Sequence, residues 1–116
     1  MMNKISFTAL VAAAAMTTGV AMAEPMNDLE IAHTAYTAGN LDIRYAHLAL
    51  AISEDATVHE FAKTMLRDHA AVNDEAVALI TKLQVTPQDN GLSQALVKGA
   101  SEKRTELMGL SGKAFD

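Results

Sequence analysis

The feature that most constrains the fold is a seven-residue repeat that runs from Asn27 to about Ser53. Large apolar or aromatic residues recur at every seventh position, and a line of small residues follows three places behind. The large positions are Leu29, Tyr36, Ile43 and Leu50, and the small positions are Ala32, Gly39, Ala46 and Ser53. This period predicts a long amphipathic helix whose small seam lets a second helix approach closely. Asn27 and Glu30 predict a capping box at its start. Gly39 costs about 1 kcal/mol relative to alanine, so either packing requires it or the helix bends there.

A second apolar stripe predicts another long helix after a short turn. Its members recur in steps of three and four: Val58, Phe61, Met65, His69, Val72, Ala76, Leu79 and Leu83. The N-cap of this helix is either Asp55 or Thr57. Thr57 would form a capping box with Glu60, three residues further on.

The remaining sequence predicts a loop and a weaker third helix. Proline and Asn-Gly breakers mark residues 84–91 as a loop. A thinner stripe, interrupted by Gly99 and Lys103, then extends from about Leu92 to Leu110. Helices joined by short connections pack side by side in opposite directions, so the sequence predicts an all-α, antiparallel helical bundle.

Residues 1–23 have the pattern of a secretory signal peptide. Lys4 precedes an apolar run, and Ala21-Met22-Ala23 is a small-x-small cleavage site. The run is short for a membrane helix, which needs about 20 residues. We therefore expect cleavage between Ala23 and Glu24 and a periplasmic or secreted bundle domain, residues 24–116, without a transmembrane segment. The absence of cysteine excludes disulfide bonds, and a net charge of −5 disfavours nucleic-acid binding.

His69 is the polar residue that falls on the apolar stripe of the second helix. With the turn centred near Asp55, antiparallel residues lie level when their numbers sum to about 111, which places His69 beside Asp42. Three alternatives follow for His69. It is a buried imidazole hydrogen-bonded to Asp42 or Asn73, a metal-binding or catalytic group, or an exposed side chain.

A divalent-metal site would be formed by His69, Asp68 and Asp42. Zinc typically takes four ligands and calcium six or more. One chain would supply three at most, so we expect no tight iron or zinc binding by a monomer. Asp68 lies about 100° round the helix from His69, where pairing with Arg67 or Arg44 is the alternative.

Motifs for other chemistry are weak or absent. Glu30 and His33 have the E-x-x-H spacing of di-iron bundles, but such a site needs two of these pairs and two further glutamates. His33, Asn40, His47 and Glu54 recur every seven residues, which is typical of a solvated helix flank. The sequence contains no nucleophile elbow, His-Glu-x-x-His motif, phosphate loop or dinucleotide fingerprint. A non-enzymatic protein without a cofactor is therefore favoured.

Three stretches resemble the bacterial domain-of-unknown-function 4142 family. They are TAGNLDIRYAHLAL (37–50), VHEFAKTMLRDHAAVND (58–74) and LSGKAFD (110–116). The most specific element is Phe61-Ala62 followed in register by Met65 and by Asp68-His69. The resemblance implies an exported protein, of the kind often labelled outer-membrane proteins, with a ferritin-like helical bundle.

The chain departs from the family pattern at two places. Asp42 stands where the family often has glutamate, so a carboxylate is kept but shortened. Family members continue beyond the position of Phe115-Asp116 into another helix with its own methionine and histidine. The resemblance therefore implies three helices of a four-helix pattern, truncated before the last helix, and any site shared between the two histidine-bearing helices would be half present in one subunit.

These observations favour an exported helical-bundle protein that acts by interaction or in envelope stress and is not catalytic. One alternative is a metal-binding, ferritin-like protein that uses His69 with Asp68 and Asp42. Another is an unstable product of a truncated gene. Because an incomplete bundle leaves an apolar band uncovered, we expect self-association, most simply a homodimer that brings two His69 side chains towards each other.

Overall fold

The computed structural model describes residues 24–116, so the signal peptide expected at residues 1–23 lies outside the described part of the chain. Three α-helices and a 3-10 turn make up this part: α1 (Asp28–Ile52), α2 (Ala56–Leu83), α3 (Gly91–Met108) and the 3-10 turn Gly112–Ala114. No β-strand occurs between residues 24 and 116, which confirms the prediction of an all-α bundle. None of these helices is both long enough and apolar enough to cross a membrane.

Side-chain caps fix the start of each helix. At α1 the expected capping box is present: Asn27 Oδ1 accepts from the Glu30 backbone N–H at 2.9 Å, and Glu30 Oε2 accepts from the Asn27 N–H at 3.0 Å. Asp55 caps α2 by accepting from two backbone N–H groups, so the alternative start at Thr57 is wrong. Asn90 caps α3 by accepting from the Ser93 backbone N–H.

The hairpin of α1 and α2 is antiparallel, and its register is the one that the sequence predicts. His69 of α2 faces Asp42 of α1. One turn further along α2, Asn73 faces Asn40. The short turn between the two helices leaves little freedom for any other register.

α3 runs parallel to α1, which is the middle helix of the bundle. Ser93 at the start of α3 lies against Thr34, and Asp116 beyond its end lies against Ser53. α2 and α3 both pack on α1 but make at most marginal contact with each other. α3 therefore covers α1 of the hairpin and leaves the outer side of α2 uncovered.

The α1–α2 interface is built from small residues and one buried amide. Gly39 and Ala46 are the buried residues of α1, and Ala62 and Asn73 those of α2. A Cβ atom added at Gly39 would lie 2.4 Å from Asn73 Oδ1. Packing therefore requires Gly39, which decides between the two alternatives for this residue. The Asn73 amide donates to Asn40 Oδ1 at 3.0 Å and to an α1 carbonyl at 3.4 Å.

The stripe predicted to be buried on α2 is wrong in part. Four of its large members are more than half exposed: Phe61 (66 %), Val72 (61 %), Leu79 (55 %) and Leu83 (59 %). The buried residues are instead Ala62 and Asn73, each one position further along the chain. Protein interiors are close-packed, so the small residues of α1 pack against the smaller residues of α2. The larger side chains of α2 lie to one side of this interface.

Candidate binding trough

α1 presents an uncovered face between α2 and α3, which we call the trough. It is lined by Ala38, Asp42, Tyr45 and Ala49 of α1, by Phe61 and Met65 of α2, and by Leu96, Gly99 and Leu107 of α3. Two cavities lie along it, one of about 260 Å³ between α1, α2 and the end of the chain, and one of about 270 Å³ between α1 and α3. The trough exists because α2 and α3 pack on different sides of α1 without meeting.

A polar pair, Asp42 and His69, lies where α1 and α2 meet beside the trough. His69 Nε2 is 3.4 Å from Asp42 Oδ2, and both side chains are partly exposed. The prediction that His69 has a carboxylate neighbour is confirmed, whereas Asn73, the other partner considered, bonds to α1. A distance of 3.4 Å is long for a strong hydrogen bond. The contact is an ion pair when the His69 imidazole is protonated and a weaker polar contact when the imidazole is neutral.

Asp68, the third candidate metal ligand, lies apart from this pair. Its Oδ1 accepts from Arg67 Nε at 2.8 Å, and this hydrogen bond, with the charge of Asp68, raises the pKa of Arg67. Within residues 24–116 no group of three His, Asp or Glu side chains is placed to hold one metal ion. Asp42 and His69 could supply two ligands to an ion whose remaining ligands come from outside the chain.

A second polar cluster joins the start of α3 to α1, and sequence reasoning missed it. Ser93 is only 1 % exposed, and its Oγ bonds to His33 Nδ1 at 2.8 Å and to Thr34 Oγ1 at 3.0 Å. The Asn90 amide donates to Thr34 Oγ1 at 3.0 Å. His33 and Ser93 are 60 residues apart, and the only local signal is the Asn90-x-x-Ser93 spacing of a helix cap.

Serine, histidine and aspartate meet in this cluster without the geometry of a catalytic triad. Asp89 Oδ1 is 3.8 Å from His33 Nδ1, the same nitrogen that faces Ser93, whereas a triad uses both ring nitrogens. Hydrogen bonds from Gln94 and from the Asn90 backbone, and then the charge of His33, lower the pKa of Asp89. The buried Ser93 hydroxyl bonds to His33 and Thr34 of α1, so the cluster holds α3 on α1.

The other histidine patterns divide between structural and exposed positions. The Glu30-x-x-His33 pair does not converge on a common ligand, because Glu30 caps Asn27 and His33 turns to α3. The solvated-flank prediction is correct for His47 and Glu54, which are exposed, and wrong for His33 and Asn40, which are partly buried and bond to α3 and α2.

The last residues of the chain return to the α1–α2 turn and close one end of the trough. The buried Ser53 hydroxyl donates to Asp116 Oδ1 at 2.5 Å and accepts from the Asp55 N–H at 3.1 Å. His59 Nε2 bonds to the Ser53 carbonyl. Phe115 lines the 260 Å³ cavity.

Fold and site together define an all-α helical-bundle domain with an open trough and a histidine–aspartate pair beside it. The family model described as Domain of unknown function (DUF4142) matches residues 11–116, and the chain belongs to this family. The resemblance carried by the three sequence stretches is thereby confirmed. No curated protein and no solved structure matches the chain.

Proposed function

We propose that this protein is an exported, non-catalytic helical-bundle protein that acts by binding a helical partner along α2 and the trough. The observation that carries this proposal is the uncovered apolar line on α2, where Phe61, Val72, Leu79 and Leu83 are each more than half exposed. Contiguous exposed apolar residues on a soluble domain mark interaction sites.

The uncovered line borders two separate cavities of the α1–α2 groove, which together we call the recess. Val72 and Leu79 border a cavity of about 150 Å³ together with Ala35 and Tyr36 of α1. Phe61 borders the 260 Å³ cavity at the other end of α2. An amphipathic helix lying along this recess would contact both ends, as in helix-in-groove recognition.

The partner we propose is a second copy of the chain. A two-fold axis near Val72 would set one α2 line against the other, since an isologous interface uses the same patch on both subunits. The same axis would bring two His69 side chains towards each other. Light scattering on protein beginning at Glu24 tests this. We expect dimers at about 10 µM, which corresponds to roughly −7 kcal/mol of association energy.

The matched variants are Val72→Glu and Val97→Glu. Val72 lies on the uncovered line, whereas Val97 is exposed on α3, beside the His33 cluster and outside the trough. We expect Val72→Glu to be monomeric and Val97→Glu to dimerise as the parent does. A cooperatively folded parent that stays monomeric over the same concentrations would contradict the proposal.

The location we propose is the periplasm or the exterior, with a role in envelope interactions or stress. It is supported by the signal-peptide pattern of residues 1–23. N-terminal sequencing of exported protein should give Glu24 as the first residue. Retention of the first 23 residues would refute both the compartment and the mature length.

The alternative function is metal binding, and the 3.4 Å approach of His69 Nε2 to Asp42 favours it. Two ligands from one chain do not hold zinc tightly, whereas two chains sharing an ion would reach four. Calorimetry with zinc distinguishes the alternatives. One tight site per chain or per dimer, abolished by His69→Ala, would establish metal binding. Loss of stability without a metal effect would assign His69 a structural role.

A further inference from the structure

The aromatic residues of the described chain are concentrated in one place. Residues 24–116 contain four aromatic side chains, and Tyr45, Phe61 and Phe115 all line the 260 Å³ cavity at the closed end of the trough. Met65 adds a polarisable thioether to the same wall. The fourth aromatic, Tyr36, lies along the other part of the α1–α2 groove.

The charges that line this cavity are all negative. Asp42 lies on one wall, where its carboxylate also faces His69 outside the cavity at 3.4 Å, and Asp116 lies on another; among the described residues no lysine, arginine or histidine lines the cavity. Lys103, whose charge interacts with Tyr45, has its Nζ held by Glu106 Oε2 at 2.7 Å. Carboxylates beside aromatic faces make an environment that favours a positive charge.

We propose that this cavity is a binding site for a small organic cation, an ammonium group carried on a compact apolar or aromatic body. The ammonium would lie over the faces of Tyr45 and Phe115, between Asp42 and Asp116, and the body would fill the apolar wall at Met65. A volume of about 260 Å³ is at the lower end of small-molecule sites, so the ligand is compact and not a long lipid chain.

Other ligand classes fit the cavity less well. An anion would meet two carboxylates, and a neutral apolar molecule would leave them unused. A bare divalent ion needs several oxygen ligands, whereas most of the lining is apolar. The site goes beyond the proposed function, since cation binding needs no second copy, although the proposed partner helix would border the same cavity at Phe61.

The test uses three benzyl compounds that differ in charge: benzyltrimethylammonium, neutral benzyl alcohol and anionic phenylacetate. Each is titrated by NMR against protein beginning at Glu24, and also against Val72→Glu, which separates ligand binding from self-association. We expect saturable shifts at Tyr45, Met65 and Phe115 with the cation, about fivefold weaker binding of the alcohol and no binding of the anion.

Matched variants locate the site. Tyr45→Leu and Asp42→Asn should each weaken cation binding by roughly fivefold to tenfold. Tyr36→Leu and Asp74→Asn make the same changes outside the cavity and should leave binding unchanged. Tyr45→Leu could also disturb packing. Phe61→Leu therefore serves as a second variant that removes an aromatic ring from the cavity, at a side chain that is mostly exposed.

Three outcomes would overturn the assignment. The alcohol or the anion could bind as tightly as the cation, which would leave only an apolar cavity. The Tyr45, Phe61 and Asp42 variants could bind like the parent, which would place the cation elsewhere. No saturable shift up to about 10 mM cation would also refute the site, since that limit corresponds to less than roughly 3 kcal/mol of binding energy.

Discussion

The two interfaces of α1 hold their partner helices by different means. Against α2, small buried residues bring the backbones together over the length of the hairpin, and Asn73 leaves no room for a side chain at Gly39. Against α3, hydrogen bonds fasten the two ends. Ser93 bonds to His33 and Thr34 at one end, and the chain beyond α3 bonds to the α1–α2 turn at the other.

The middle of the α1–α3 interface is correspondingly loose. A cavity of about 270 Å³ lies there, bordered by Gly99 and Ala95, which are too small to fill it. Close packing gains dispersion energy along a whole helix, whereas hydrogen bonds act only where they are formed. α2 is therefore held on α1 by close packing, and α3 is held on α1 by hydrogen bonds at its two ends. Different substitutions should detach each helix.

The largest effect should come from Gly39→Ala. The new Cβ would lie 2.4 Å from Asn73 Oδ1, so either the buried Asn73 amide must turn away from its bonds to α1 or the two helices must separate. We expect a loss of about 1–3 kcal/mol in the free energy of unfolding, typical of overpacking, measured by urea denaturation.

Two further variants show whether the clash is the cause. Gly99→Ala places the same methyl group on α3, where nothing lies within 4 Å, and should stabilise the protein by up to about 1 kcal/mol through helix propensity. Adding Asn73→Ala to Gly39→Ala should cost less than the sum of the single changes. Strictly additive losses in the free energy of unfolding would mean that the residue 39 and residue 73 side chains do not compete for the same space.

A smaller effect should follow from Ser93→Ala. The change leaves His33 and Thr34 without a shared buried partner and should cost about 1–2 kcal/mol. Hydrogen exchange should accelerate in α3 before it accelerates in α1 or α2, because α3 makes at most marginal contact with α2. Ser101→Ala, at an exposed site on α3, is the control. Equal acceleration in all three helices would show that α3 is not separately anchored.

The smallest effect should be a pH dependence at the same anchor. The pKa of Asp89 is lowered from the ordinary value of 3.8 by its hydrogen bonds and by His33. Its ionised form therefore stabilises the fold above that value, and this contribution is lost as the pH falls through the lower, folded-state pKa. Asp89→Asn should be slightly less stable than the parent near pH 6, and the two should converge in acid. Asp74→Asn, an exposed carboxylate on α2, should show no such convergence.

The parts of the fold that depend on short sequence separations could be predicted. The Asn27–Glu30 capping box and the Asp42–His69 register both follow from local spacing and a short turn. For Gly39 the sequence left two alternatives, a packing requirement or a bend, and the structure decides for packing. Asp68 was correctly given Arg67 as one of two partners, because adjacent charges on a helix need no tertiary information.

The rotation of α2 and the placement of α3 could not be predicted. The apolar arc of α2 covers both Phe61 and Ala62, which differ by about 100°, and periodicity does not say which of them faces α1. Only the shape of the opposing seam decides. The loop before α3 allows this helix to pack on either α1 or α2. Nothing in the sequence therefore predicts that Ser93 contacts His33 or that α3 leaves α2 uncovered.

The way α3 is fastened also bears on the order of folding. The α1–α2 turn closes a short loop, whereas the anchors of α3 join residues 60 and 63 positions apart. Longer closures cost more chain entropy, and α2 makes too little contact with α3 to guide it. The hairpin can therefore form first, and the trough is complete only after α3 docks. A partner or ligand that needs the complete trough should slow unfolding while leaving the folding rate nearly unchanged.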